Sequence, residues 1–116
     1  SLFVSPDLKQ IEAASRVGAN IIELNTGTFC DLLIENNKEY LEEFEKLKEA
    51  SVYGKNLGLE IHGGHGLTFE SVKYIASIPE IRELNIGHFL ISQAVFDGIE
   101  KTINTMRLEI DNSQKK

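Results

Sequence analysis

Imidazole, carboxylate and closely spaced glycine are the groups in this chain that could move protons or hold an anion. The segment "LGLEIHGGHGLTFESV", Leu57 to Val72, sets His65 between Gly64 and Gly66, where an apolar run meets a helix-like pattern. An imidazole with an unperturbed pKa of about 6.5 suits proton transfer near neutrality. Glycine lets ligand oxygens approach backbone N–H groups with no Cβ in the way. A helix start just beyond adds unpaired donors and the positive end of a dipole. Gly64, His65 and Gly66 ahead of Thr68 fit that mechanism, and so do Gly87 and His88 ahead of the last helical pattern. Plain tight turns and an exposed loop histidine fit the same spacing, so both readings stand at this level.

Glu23 lies near the end of an apolar strand, where an unpaired carboxylate would be costly. A functional carboxylate and a salt-bridged one both meet that constraint. Its counterpart Glu83 is given a structural reading and no role. His62 falls inside a strand and reads as a satisfied interior histidine, whereas His88 would act mainly through its backbone N–H. No metal is expected: there is no HExxH or paired CxxC, and His62 and His65 lack a third ligand. Cys30 reads as an inert thiol in a polar connection without an adjacent base.

The elements that must position these groups follow from periodicity. Leu2–Ser5 reads as a short strand, and Asp7 as the cap of a helix through Leu8, Ile11, Ala14 and Val17 that Gly18 closes. Asn20–Gly27 is the second strand, followed by a looser stretch, "TFCDLLIENN". Asn37 to Asn56 is the longest helical pattern, with Gly54 placed to fray its last turn. "LEIHGG" is the third strand. Thr68 caps the next helix, "IRELNIG" is the fourth strand, and one helix spans Phe89 to Ile110 before a polar tail.

Strand and helix thus alternate four times with short connections, the pattern of a parallel sheet covered by helices. An open four-stranded sheet and half of a (βα)₈ barrel both fit, since a full barrel takes about 250 residues. "ELNTGTF" at Glu23–Phe29 and "ELNIGHF" at Glu83–Phe89 agree at five of seven positions, 60 residues apart, and suggest two equivalent barrel corners. Alternation puts Glu23, Asn25 and Gly27 on one face, looking into the barrel, with Ile22 and Leu24 on the other.

Composition narrows the function classes. The 116 residues are 41% hydrophobic and 26% charged, as in an ordinary soluble domain. No apolar run reaches the roughly 20 residues of a membrane span, and the single cysteine suits a reducing compartment, so a cytoplasmic protein is expected. A net charge of −6 argues against a general nucleic-acid binder. An opening strand with no Met before it suggests a piece of something larger.

"NIIEL", "NTG", "GHGLT" and "IPEIRELNIGHFLI" together resemble the C-terminal half of the pyridoxine 5′-phosphate synthase family, across essentially the whole chain. The resemblance implies that residues 1–116 are strands five to eight, with their helices, of one (βα)₈ TIM-barrel domain. It implies condensation of 3-amino-2-oxopropyl phosphate with 1-deoxy-D-xylulose 5-phosphate, giving pyridoxine 5′-phosphate, phosphate and water, without metal or organic cofactor. It makes His65 the proton donor and Glu23 the transition-state stabiliser, with Gly66, Gly87 and His88 binding substrate. It gives His62 no role. The family assembles as octamers. Its other acid/base groups belong to strands one to four and are missing from this sequence, so the N-terminal half-barrel is the expected partner. A non-catalytic phosphate-binding or assembly half-barrel is the alternative, and another phosphate-handling barrel enzyme is a third.

Overall fold

Period-two alternation decides the central layer: Ile22 and Leu24 are fully buried, and Glu23 and Asn25 lie on the opposite, more open face. The structure, a computed structural model, describes residues 1–114. Strands β1 (Leu2–Val4), β2 (Ile21–Asn25), β3 (Glu60–Gly64) and β4 (Ile81–Asn85) form one sheet in sequence order, every pair parallel. The helices are α1 (Leu8–Arg16), α2 (Gly27–Ile34), α3 (Tyr40–Asn56), α4 (Phe69–Ala76), α5 (His88–Asp97) and α6 (Ile99–Gln114). The α/β alternation is as expected, and because all strands run one way, their C-terminal ends share one edge.

The predicted caps form. Asp7 accepts from the Lys9 N–H at 3.0 Å to start α1. Thr68 and Ser71 make a reciprocal capping box at α4. Gly54 does not fray α3. It is buried where the helix meets the sheet, and a Cβ there would lie 2.6 Å from Ile61 Cδ1. Its missing side chain sets how closely α3 can approach β3.

Three expectations need correction. The looser stretch after β2 is helix α2, because Phe29, Cys30 and Leu33 fall on one side of a helical turn and pack into the core. The last helix is two helices: Gly98, at φ +85°, breaks the chain direction between α5 and α6. Residues 111–114 of the polar tail continue α6; Lys115 and Lys116 lie outside the described residues.

Phe29 is the largest fully buried side chain, and it sits edge-on or tilted against Tyr40, Phe44 and Tyr74 at centroid distances of 5.5–6.3 Å. Such pairs add to simple area burial. Replacing Phe29 by Ala should cost about 3–5 kcal/mol of stability, the usual range for a truncated core aromatic. Urea titration of the two proteins checks this, and a midpoint unchanged by the substitution would refute the packing.

Candidate functional site

Past Gly64 the chain must turn out of β3 toward α4. His65 makes that turn at φ +86°, in the left-handed region that disfavours side-chain-bearing residues. Such a conformation costs about 1–3 kcal/mol and persists only where its surroundings over-determine it. Thr26, fully buried at the end of β2, is the restraint. Its N–H donates to the Gly64 carbonyl at 2.8 Å. Its hydroxyl lies 2.8 Å from that oxygen and 2.7 Å from the His65 carbonyl oxygen. Cys30 Sγ adds a weak contact to the His65 carbonyl at 3.8 Å.

The imidazole, held in this way, crosses Gly27. A Cβ at residue 27 would lie 2.6 Å from His65 Cδ2. Asn25 Oδ1 accepts from the Gly27 N–H at 2.8 Å and fixes that glycine. Gly27 is the first residue of α2 rather than the last strand position, so it does not continue the face that Glu23 and Asn25 share. Phe3 of β1 meets the His65 ring edge-on at 6.3 Å.

Two rows of side chains cross the open face. In one, pairing sets Phe3, Glu23, His62 and Glu83 side by side on β1 to β4. In the next, Asn25, Gly64 and Asn85 are neighbours. Glu23 leans from its own row into the second, where Asn85 Nδ2 donates to Glu23 Oε1. It can do so because Gly64 has no side chain; a Cβ there would fall 2.6 Å from Glu23 Oε2. Gly64 therefore makes room for a carboxylate, a role distinct from admitting a ligand to the backbone.

His62 is buried and satisfied, as expected of an interior histidine: Nε2 lies 2.5 Å from Glu60 Oε2 and 3.5 Å from Glu83 Oε2. Glu60, His62 and Glu83 bring potential ligand atoms within 4.8 Å of one another. His65 is not among them. The two ELN segments occupy matching positions at the ends of β2 and β4, in the same rows, but their side chains have different partners. Glu23 is held by Asn85 and Glu83 faces His62, while Gly27 is crowded by the His65 ring and Gly87 has open space where its Cβ would be.

Between the ends of β3 and β4 lies a cavity of about 480 Å³, lined among others by His65, Gly66, Asn85, Gly87 and His88. Gly66 enters at φ +77° and Gly87 is the N-cap of α5, with no side chain capping that helix. The first-turn N–H groups of α5 are thus without a side-chain acceptor, next to a space of ligand size. Thr68 also lines the cavity, but its hydroxyl serves the α4 capping box. A larger cleft of about 650 Å³ opens at the α5–α6 junction around Gly98 and Lys101. Its lining holds neither a histidine nor a strand end, whereas the smaller cavity has both.

The family described as pyridoxal phosphate biosynthesis protein PdxJ matches residues 1–112. The chain belongs to this family. Proteins named pyridoxine 5′-phosphate synthase are similar to it along nearly its whole length. The one from Ruegeria pomeroyi is 46% identical over 115 residues, covering 98% of this chain and 46% of the relative. The one from Cereibacter sphaeroides is 43% identical over 116 residues, 99% of this chain and 46% of the relative. That from Xanthobacter autotrophicus is 47% identical over 111 residues, 95% and 43% of the two chains. The chain spans about half the length of these PdxJ relatives. Among the described residues, no helix is long and apolar enough to cross a membrane.

All five residues singled out from the sequence of this PdxJ chain lie near the C-terminal strand ends: Glu23 on β2, His65 and Gly66 after β3, Gly87 and His88 after β4. Thr26 and Asn85 supply the restraints. Their types were visible in "ELNTG" and "ELNIG", but their partners are 38 and 62 residues away, beyond any local pattern. Cys30 is not in a polar connection but buried on α2. Burial raises its pKa above the ordinary 9.0, and hydrogen bonds with Ser71 and Thr26 act against the rise. That direction agrees with an inert thiol.

The folded protein thus keeps the Cys30 proton at a pH where the unfolded chain has lost it. The resulting stability is complete below about pH 9 and lost as pH rises through the higher folded value. Urea titrations should show the parent losing more stability than Cys30→Ala between about pH 8 and about pH 10. Equal losses in the two proteins would contradict this.

Proposed function

We propose that this chain is a C-terminal half-barrel, residues 1–116 supplying strands five to eight of a (βα)₈ domain, and that the complete protein is a pyridoxine 5′-phosphate synthase. Its substrates are then 3-amino-2-oxopropyl phosphate and 1-deoxy-D-xylulose 5-phosphate. The observation that carries the reading is the shared edge itself. An imidazole held by Thr26 lines a cavity with glycine turns and a helix start, and the Glu23 carboxylate stands behind Asn85 of the cavity wall. The polar row Glu23–His62–Glu83 also suits the interior of a barrel better than an open surface. The two unpaired edges, at β1 and β4, are where further strands would close it.

Joining an amine to a ketone expels water, and the departing oxygen needs a proton. His65 donates it on this reading, as a general acid. Positive charge develops at the condensing nitrogen, and Glu23, oriented by Asn85, stabilises it. The phosphate of the amino-ketone rests on the backbone at Gly66 and Gly87 and on His88 at the start of α5. The remaining acid/base groups come from the other half-barrel, which makes that half the obligatory partner. The assembled enzyme is a homo-oligomer, an octamer by likeness to the family, working in the cytoplasm without metal or organic cofactor.

A chimera tests the role of His65. The residues of this chain replace the matched segment of the Ruegeria pomeroyi relative, and formation of pyridoxine 5′-phosphate is followed. His65→Ala should remove most turnover, by a factor of about 100 or more for a lost general acid, with the unfolding midpoint unchanged. Full turnover in a folded His65→Ala chimera would overturn the assignment.

A further inference from the structure

We infer that Thr26 is a positioning residue for His65, and that Asn25 and Gly27 complete the same device; the inference rests on the reading of His65 as proton donor. The direction of a side chain is set by the two peptide planes on either side of its Cα. For His65 these are the planes carrying the Gly64 and His65 carbonyls, and Thr26 engages both. Its N–H takes the Gly64 oxygen at 2.8 Å, and its hydroxyl lies 2.7 Å from the His65 oxygen. With both planes held, the left-handed backbone at φ +86° is fixed and the Cβ has one direction.

The hydroxyl is the part that the β-sheet could not supply. An N–H comes with any residue at position 26 except proline, whereas among the described residues the His65 carbonyl otherwise has only the long Cys30 contact at 3.8 Å. A hydroxyl carries one proton, so it is shared between two oxygens at 2.8 and 2.7 Å, and both contacts must be kept for that geometry to persist. Thr26 is fully buried, so no water competes for these bonds.

Gly27 controls the other end of the side chain. The imidazole occupies the volume where a residue-27 Cβ would stand, 2.6 Å from Cδ2 and 3.4 Å from Nε2. Asn25 holds Gly27 in place through its N–H. The tripeptide Asn25–Thr26–Gly27 therefore divides its work: one residue fixes the glycine, one clamps the histidine backbone, and one leaves room for the ring. The matching tripeptide Asn85–Ile86–Gly87 has no hydroxyl and no ring against its glycine, consistent with a cavity wall instead of a clamp.

The test uses the same chimera with Thr26→Val, Thr26→Ser and Gly27→Ala, measuring kcat and KM for each substrate. Thr26→Val keeps the shape and removes the hydroxyl. It should lower kcat on the order of 100-fold, the cost of a misplaced reacting group, with KM little changed. Thr26→Ser should restore most of the loss. Gly27→Ala should lower kcat similarly while folding normally, since the nearest atoms to the new Cβ are side-chain atoms of His65 and Asn25. It keeps the inference testable if Thr26→Val fails to fold. Parental kcat in Gly27→Ala, or in a folded Thr26→Val, would overturn the inference. So would equal losses in the Ser and Val variants, or a raised KM with kcat intact. Full activity in His65→Ala would instead overturn the underlying reading of His65.

Discussion

The hydrogen bonds from Thr26 to the carbonyls on either side of His65 join the end of β2 to the turn after β3. The turn is costly by itself, because a histidine occupies a conformation suited to glycine. The bonds are buried, so breaking them leaves polar oxygens without water, and that penalty holds the turn in place. His65 needs this turn for its direction, the cavity needs it for one wall, and α4 begins from the chain it delivers. Removing the restraint would leave the fold largely intact and the imidazole unaimed.

Glycine at this edge answers four different demands. Gly27 yields space to the His65 ring and Gly64 yields it to the Glu23 carboxylate. Gly66 turns the chain at positive φ, and Gly87 opens the start of α5. A reading of the glycines as one phosphate cradle is thus too simple. Two of them serve side chains of the protein, and two border the space where a ligand would lie. The carboxylate and the imidazole are brought to one strand edge by exchange of space between neighbouring strands.

Much of the fold was legible. Ile22 and Leu24 against Glu23 and Asn25 declare a strand with two faces, and Asp7, Gly18 and Thr68 mark helix ends through local chemistry. Helix α2 was hidden because its apolar residues span barely two turns, too short for periodicity to stand out. The break at Gly98 was hidden because apolar spacing continues across it; only the glycine itself signals the left-handed residue. At the site, the types of His65 and Glu23 allowed proton transfer or charge stabilisation, and the likeness of "GHGLT" to a known family supplied the roles proposed for them. The restraints from Thr26 and Asn85 act between strands, so no local spacing could reveal them. The polar setting of Cys30 was misread for the same reason as α2.

The chain spans about half of its PdxJ relatives, and its polar sheet face ends at two unpaired strands. On the proposed reading, one active site is divided between this chain and a complement, with the proton donor and the phosphate edge on this side. Mixing this chain with the unmatched remainder of the Ruegeria pomeroyi relative, and following pyridoxine 5′-phosphate by fluorescence, tests that division most directly. The account predicts product from the assembled mixture and none from either part alone. Product from this chain alone, or none from a mixture shown to assemble, would contradict it.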